Sequence, residues 1–279
     1  LPTSPIVITG ASSGMGKAAA LQLAQLGHPL ILLLRDGQKG RDAHAEIVQR
    51  SGNRAVELEH ADLASQADIR AAAARILERH QRLAGFIANA GAHFSKRTLS
   101  PDGVELTLAI NHLAPFLLTH LLHDALKAHG AARIVLTASS LQFPFDFSDY
   151  NRDRAYDGYR AYGQTKLANV QFTFALARRL EGTGVSVNCL APGLVRTDIY
   201  RRTRGAARFL AHTLLAPLMA SPEKAGQKLV RLATDPALAQ TSGVYFKHYK
   251  PGRAIPAAYD EAAQEQLWTL SEQLTGNPY

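Results

Sequence analysis

Sulfur is scarce in this 279-residue sequence, with one cysteine, Cys189, and two methionines. A lone cysteine cannot close an internal disulfide, so a packed core must hold the fold, and a reducing, cytoplasmic setting is expected. No apolar run approaches the ~18 to 20 residues that span a bilayer, so the chain reads as soluble. Absent too are a Pro/Ser linker, a low-complexity tract and an internal repeat, so residues 1–279 are read as one domain. Acids are the minority, 23 against 31 Lys and Arg, giving a formal charge of +8 and a pI near 9.7. Such an excess would suit a polyanion. The bases are scattered, however. Only Arg201, Arg202, Arg204 and Arg208 cluster, and no nucleic-acid motif accompanies them, so nucleic acid is set aside. The chain opens at Leu1 rather than Met, which leaves a targeting segment ahead of it open.

What is present is alternation. With 46% hydrophobic and 19% charged residues the chain can bury a sizeable core. Short β-branched apolar runs take turns with segments of helical spacing. Strands are predicted at 5–9, 30–34, 55–59 and 85–88, and helices at 17–26, 41–50 and 65–80. A long helical pattern over 102–129, a strand at 133–137, a helix at 162–180 and a strand at 185–190 follow. A helix at 222–234, a last strand at 243–246 and a closing helix at 257–274 complete the pattern. This order implies an α/β fold, with right-handed crossovers building a doubly wound parallel sheet between two helical layers. Ser65-Gln66-Ala67-Asp68 reads as a capping box. Ser100-Pro101 and Ser221-Pro222 each place a capping serine before a first-turn proline.

The first strand feeds Thr9-Gly10-Ala11-Ser12-Ser13-Gly14-Met15-Gly16 into a helix. Backbone N–H groups and the helix dipole at such a turn favour a pyrophosphate. Gly10 permits the tight turn, Gly14 the approach of phosphate, and Gly16 close contact of helix and strand, with Ser12, Ser13 and Met15 lining the same cofactor site. An acid at the end of the second strand would bind a free ribose 2′-hydroxyl, whereas arginine suits a 2′-phosphate. Here that strand ends Leu34-Arg35-Asp36. Leu34 stands where the NAD-selecting acid is expected, Arg35 can pair with phosphate and Lys39 can assist, so NADP(H) is favoured over NAD(H). Asp36 argues for NAD or, equally, for an N-cap of the next helix.

Tyr162 and Lys166 are four residues apart, so a helix would carry them on one face where a single ligand could touch both. Taken alone, the pair proves nothing, and a packed ring beside a solvated amine is the readier reading.

Together these motifs resemble the short-chain dehydrogenase/reductase family, in its classical form. The features that carry the likeness are Thr9-Gly10 with Gly14 and Gly16, Asp62-Leu63, Asn89-Ala90-Gly91, Asn111, Ser139-Ser140, Tyr162 with Lys166, and Pro192-Gly193. They run nearly the full length, in order and on the expected elements. Ala161–Val170 and Arg35-Asp36 look most like the retinol dehydrogenase and protochlorophyllide reductase branch, typically NADP(H)-linked. The resemblance implies a three-layer Rossmann fold and an oxidoreductase of the carbonyl reductase or alcohol dehydrogenase type. By the same resemblance, Tyr162 is the general acid/base, Lys166 lowers its proton affinity and holds the nicotinamide ribose, and Ser140 bonds the substrate oxygen. Asn111 is implied to fix a water that links Lys166 to solvent. Asp62 and Leu63 are implied to hold adenine, Asn89, Ala90 and Gly91 to floor the cofactor, and Pro192, Gly193, Val195 and Thr197 to close over the nicotinamide carboxamide. No metal ligands are implied. Ser139 is assigned to backbone packing, and Cys189 to the core.

Two stretches depart from the most compact members of the family. The 21 residues between Ser140 and Tyr162 include Phe143, Phe145, Phe147, Tyr150, Tyr156 and Tyr159. They either wall an apolar pocket or pin a surface insertion to the body. The apolar, basic stretch 201–220 falls at the usual substrate lid, placed at about 197–220, and could instead lie on an anionic membrane; the lid is preferred. The expected partner is a hydrophobic aldehyde, ketone or secondary alcohol. A catalytically idle NADP(H)-binding redox sensor and a C=C reductase stand as alternatives, and homo-oligomerisation stays open.

Overall fold

A computed structural model describes residues 3–193 and 220–277. Strands β1 (Ile6–Thr9), β2 (Leu30–Leu34), β3 (Val56–His60), β4 (Gly85–Ala88), β5 (Arg133–Thr137), β6 (Ser186–Ala191), β7 (Val244–Lys247) and β8 (Lys250–Pro251) form one sheet. Their order is 3-2-1-4-5-6-7-8. Every pairing is parallel except β7 with β8, an antiparallel addition that the sequence pattern did not announce. The topology reverses between β1 and β4, and in open parallel sheets the crevice beyond the strand ends at that reversal is where ligands bind.

The two faces of the sheet bury separate cores, as alternation along each strand requires. On one face Ile6, Ile8, Leu30, Leu32 and Leu190 pack with helices α1 (Gly14–Gln25) and α2 (Gln38–Ser51). On the other, Val7, Ile31, Leu33, Phe86, Val187 and the buried Cys189 pack with α3 (Gln66–Arg79) and with later helices. The result is the expected three-layer α/β/α arrangement.

The expected single helix over 102–129 is instead broken into pieces. Gly103 adopts a left-handed φ of +76°, so 100–104 is a turn in which Ser100 Oγ accepts from Asp102 N and Val104 N. The cap passes from Ser100 to the buried Glu105, whose carboxylate accepts from Thr107 N and Leu108 N at 2.9 Å. α4 (Leu106–Leu108) then leads into a π-helical segment (Ala109–Leu113), α5 (Ala114–Leu121) and α6 (His123–His129). The other two capping expectations hold at their serines. Ser65 accepts from Asp68 N and Ser221 from Lys224 N.

α7 spans Gly158–Arg179, four residues earlier than the pattern suggested, because the Asp157 carboxylate caps Tyr159 and Arg160 N–H groups. α8 (Pro222–Thr234) lies on α1 so closely that a Cβ on Gly226 would sit 2.7 Å from Ala19 N. α9 (Glu261–Thr275) packs on α7, with Trp268 edge-on to Phe116 and beside Phe172. Among the described residues no helix is long and apolar enough to cross a membrane, and no cluster of His, Cys, Asp and Glu could hold a metal.

Candidate active site

The glycine turn is built by subtraction. Gly10 has φ +71°, and a Cβ there would meet Ala90 Cα at 2.7 Å and Asn89 Nδ2 at 2.8 Å. On Gly16 it would meet Asn89 Nδ2 at 2.2 Å and Gly10 O at 2.4 Å. Asn89 therefore fastens the turn, donating to Thr9 O at 3.2 Å and Gly10 O at 3.3 Å. From below, Thr9 Oγ1 accepts from Asn89 N and Ala90 N, both at 3.1 Å. At the head of α1 the N-cap Ser13 makes no side-chain cap bond and the first turn holds no acid. Its backbone donors suit an anion, so the turn fits a pyrophosphate.

From this turn the 89–91 run leads directly to the Tyr162–Lys166 pair. A Cβ on Gly91 would sit 3.4 Å from Lys166 Nζ and 3.6 Å from Asn111 Oδ1. Lys166 is 2% exposed. It donates to Thr137 O at 2.9 Å, with Nζ 5.4 Å from the centroid of the Tyr162 ring. Burial pulls its pKa down to about 8, so the ammonium still predominates at neutral pH and favours a neighbouring phenolate. Tyr162 is half-buried, with the His93 ring edge-on at 6.1 Å.

Asn111 stands in the π-helical segment with both ends of its amide bonded. Oδ1 accepts from Ala92 N at 2.7 Å, while Nδ2 donates to Ala92 O and Thr165 Oγ1, each at 3.0 Å. Its side chain thus ties the 89–92 run to α7, a buried-amide role. A layer behind it escaped the sequence reading. Asn169 Nδ2 donates to Asn111 O at 2.9 Å and to Thr137 O at 3.4 Å. Asn169 Oδ1 faces His112 Nδ1 at 3.3 Å, and His112 Nε2 lies 2.9 Å from Ser271 Oγ on α9. Burial drives His112 to a pKa of about 4, so it is neutral. An amide oxygen only accepts, which places a proton on His112 Nδ1, while the Ser271 hydroxyl has one proton to share between Nε2 and Leu267 O at 2.7 Å. The only local signal for this layer was a polar residue recurring on the apolar face of α7.

Ser140 is exposed just past β5, its hydroxyl beside the Tyr245 phenol, whose pKa burial raises and Ser140 lowers. Ser139 turns inward instead: Oγ accepts from Leu141 N at 3.0 Å, and its carbonyl accepts from Tyr245 and Gln142. The aromatic connection divides. Tyr156 donates to Phe94 O and Glu105, Tyr150 and Phe145 pack on a small core at Val104 and Leu108, and Phe147 pairs with Phe145, so these four pin the segment. Phe143 lies over Gly163, where a Cβ would meet its ring at 2.4 Å, with Tyr159 at 5.9 Å. Phe143 thus lies against the residue that follows Tyr162, and Tyr159 stands three residues before it.

At the far end of the crevice Leu34 is 4% exposed and belongs to the core under α2. An acid there would be buried rather than presented to a ribose. Arg35 is exposed and in no ion pair among the described residues, and Lys39 is exposed beside it. Asp36 is not the helix cap; Gly37 holds that position, and the Asp36 carboxylate accepts from Arg41 at 2.6 Å. Asp62 Oδ1 accepts from Ala64 N at 3.0 Å, and Leu63 is half-buried beside it at the end of β3. Pro192 and Gly193 follow β6 at the same sheet edge. Val195, Thr197 and the stretch 201–219 lie outside the described residues.

The structure therefore brings the glycine turn, Asn89–Gly91, Asn111 and the Tyr162–Lys166 pair to one crevice. Comparison with known proteins places the chain in a family. The profile of the family described as short chain dehydrogenase matches residues 4–207. Retinol dehydrogenase 13 of Homo sapiens is 40% identical, over 99% of this chain and 86% of its own. Retinol dehydrogenase 14 of Mus musculus is 36% identical, over 97% and 85%. Among solved structures, an uncharacterized protein from Mycobacterium paratuberculosis superposes with a TM-score of 0.78 at 29% identity, covering 99% of this chain and 95% of its own. A protein from Beutenbergia cavernae described as an NAD(P)-dependent gluconate 5-dehydrogenase, with NADP bound at low occupancy, gives 0.72 at 29%, covering 89% and 96%.

Proposed function

Since this chain belongs to the short-chain dehydrogenase family, in its retinol dehydrogenase-like branch, and is a nicotinamide-dependent oxidoreductase, we propose that it is NADP(H)-dependent and acts on a mainly hydrophobic aldehyde, ketone or secondary alcohol. The observation that carries this reading is the continuous path from Gly10 through Ala90 and Gly91 to Lys166 Nζ and Asn111. It joins the anion-binding turn to the Lys166 ammonium beside the Tyr162 ring.

Within this reading Gly10–Gly16, with Ser12, Ser13 and Met15, hold the pyrophosphate. Asp62 and Leu63 take the adenine, Asn89, Ala90 and Gly91 form the floor, and Pro192, Gly193, Val195 and Thr197 close the nicotinamide end. The exposed guanidinium of Arg35, aided by Lys39, supports the 2′-phosphate and so NADP(H). When bound, the dinucleotide supplies the hydride.

The chain's own residues manage the proton. Tyr162 gives its phenolic proton to the carbonyl oxygen during reduction and takes it back from the alcohol in reverse. A free phenol, with a pKa of about 10, is a poor exchanger at neutral pH, and the Lys166 ammonium beside the ring stabilises the phenolate. Ser140 donates to the substrate oxygen where negative charge develops. Asn111, Thr165 and Asn169 hold Lys166 and the 89–92 run in register, and the Asn111 water completes the proton supply. The apolar substrate is supported by Phe143 over Gly163, the residue after Tyr162, with Tyr159 against it, and by the names of the retinol dehydrogenase relatives. Single-domain organisation and cytoplasmic residence complete the proposal.

The test is NADPH oxidation across a panel of aldehydes and ketones of rising chain length, with Tyr162→Phe beside the native protein. A fall of about 10³-fold in kcat/KM is expected in the variant, with NADPH affinity retained. Equal turnover by both proteins would refute the catalytic reading.

A further inference from the structure

A second buried lysine, which the proposed chemistry does not use, stands beneath the Pro192–Gly193 turn. Lys228 reaches from α8, is 5% exposed, and donates to Pro192 O at 2.7 Å. Its other neighbours are His248 Nδ1 at 3.2 Å and the ring of Tyr249, 5.4 Å from Nζ to centroid. An ammonium only donates, so His248 Nδ1 must be the unprotonated ring nitrogen. The imidazole in turn lies on Gly193, where φ is +87° and a Cβ would come within 2.3 Å of His248 Cε1. His248 itself holds a φ of +61°, a region that residues with side chains seldom occupy. Lysine, imidazole and glycine thus form one packed stack under the turn.

The consequence comes from peptide geometry. The described residues contain no cis peptide, so the Pro192 C=O and the Gly193 N–H point in opposite directions from one plane. α8 belongs to the α1 face of the sheet, whereas Tyr162 and Lys166 come from the opposite face. Drawing the Pro192 oxygen toward Lys228 turns the Gly193 N–H away from α8, to the side of the sheet that carries α7.

We propose that Lys228 is a positioning residue, which locks the Pro192–Gly193 peptide so that the Gly193 N–H is presented to the carboxamide oxygen of a bound nicotinamide, with His248 as the strut that holds the ammonium. The inference rests on the cofactor reading above. It assigns nothing to Lys228 in the chemical step. Its effect is on binding at one end of the dinucleotide, and this separates it from a general contribution to stability.

The test compares NADPH with 2′-phospho-ADP-ribose, which lacks the nicotinamide, by calorimetric titration of the full chain. Lys228→Met should raise the NADPH Kd about tenfold and leave that of the fragment unchanged. Lys228→Gln, which can still donate to Pro192 O, should restore most of the loss. His248→Phe, which keeps a flat ring on Gly193 without an acceptor, should give a smaller shift of the same sign. If Lys228→Met does not fold, the other two variants carry the same comparison. Equal losses for NADPH and the fragment, or no difference between Met and Gln, would overturn the positioning role. A native protein that binds the fragment but not NADPH would overturn it too. A native protein that binds neither would remove the cofactor reading and this inference with it.

Discussion

The two ends of the crevice meet at Gly91 and are built in opposite ways. At the Gly10–Gly16 end side chains are excluded, since backbone atoms and Asn89 occupy the space where a Cβ would sit, and the helix head carries no acid and no side-chain cap bond. At the Lys166 end polar side chains are packed in and paired, from Lys166 through Thr137 O, Asn169 and His112 to Ser271. One end is shaped to receive charge from a ligand, and the other already holds charge of its own. That difference predicts opposite responses to substitution.

The largest effect is expected at the glycine end. Gly16→Ala would place a methyl 2.2 Å from Asn89 Nδ2 and 2.4 Å from Gly10 O, the latter a backbone atom that cannot step aside. Overpacking of this kind costs about 3 kcal/mol. The opened turn should also weaken dinucleotide binding by about 100-fold or more. Thermal unfolding and fluorescence titration would report both, and an unchanged Kd would mean that the turn is not the phosphate site.

The Lys166 end should respond in the other direction. Its pKa is lowered from 10.5 to about 8 by burial, so between those values the unfolded chain binds the proton more tightly than the folded one. Stability therefore rises with pH through that window, and below about 8 the full cost of a buried ammonium is present. Lys166→Met removes that cost and forfeits the bond to Thr137 O. At pH 7 the unliganded variant should be more stable by about 2 kcal/mol, an advantage that shrinks as pH rises toward 10.5, while activity is lost. Urea midpoints at neutral and alkaline pH would decide it; a gain independent of pH would mean the lysine is not titrating in the core.

The smallest effect separates cofactors. Arg35→Ser should lower the preference for NADPH over NADH by about tenfold with little change in unfolding midpoint, because the side chain is exposed. This is a better probe than Leu34→Asp, which would bury a carboxylate beneath α2 and confound selectivity with misfolding. An unaltered ratio would move the 2′-phosphate reading away from Arg35.

The same contrast explains what could be read from sequence. The glycine turn is contiguous, and its consequences are local backbone conformation and space, so spacing alone exposed it. Alternating strands and helices likewise carry their own periodicity, and the sheet followed. The polar layer behind Lys166 is different: its bonds join residues 32 to 159 positions apart, from Asn169–Thr137 to His112–Ser271. No local pattern distinguishes a buried Asn169 from a solvated one. Lys228 was hidden for the same reason, being one more base on an amphipathic helix until β7 and the His248 turn fold over it. The break at Gly103 and the transfer of the cap to Glu105 depended on a tertiary partner, since Tyr156 donates to that carboxylate from 51 residues away.

Cys189 has a practical consequence of its own. It is the sequence's only thiol, fully buried in β6 between two parallel neighbours, and burial pushes its pKa up to about 12. Thiolate is the reactive form, so alkylating reagents meet an inert group while the sheet is closed. Each labelled molecule then records one opening of the central strands, and the chain carries an internal clock for its own unfolding.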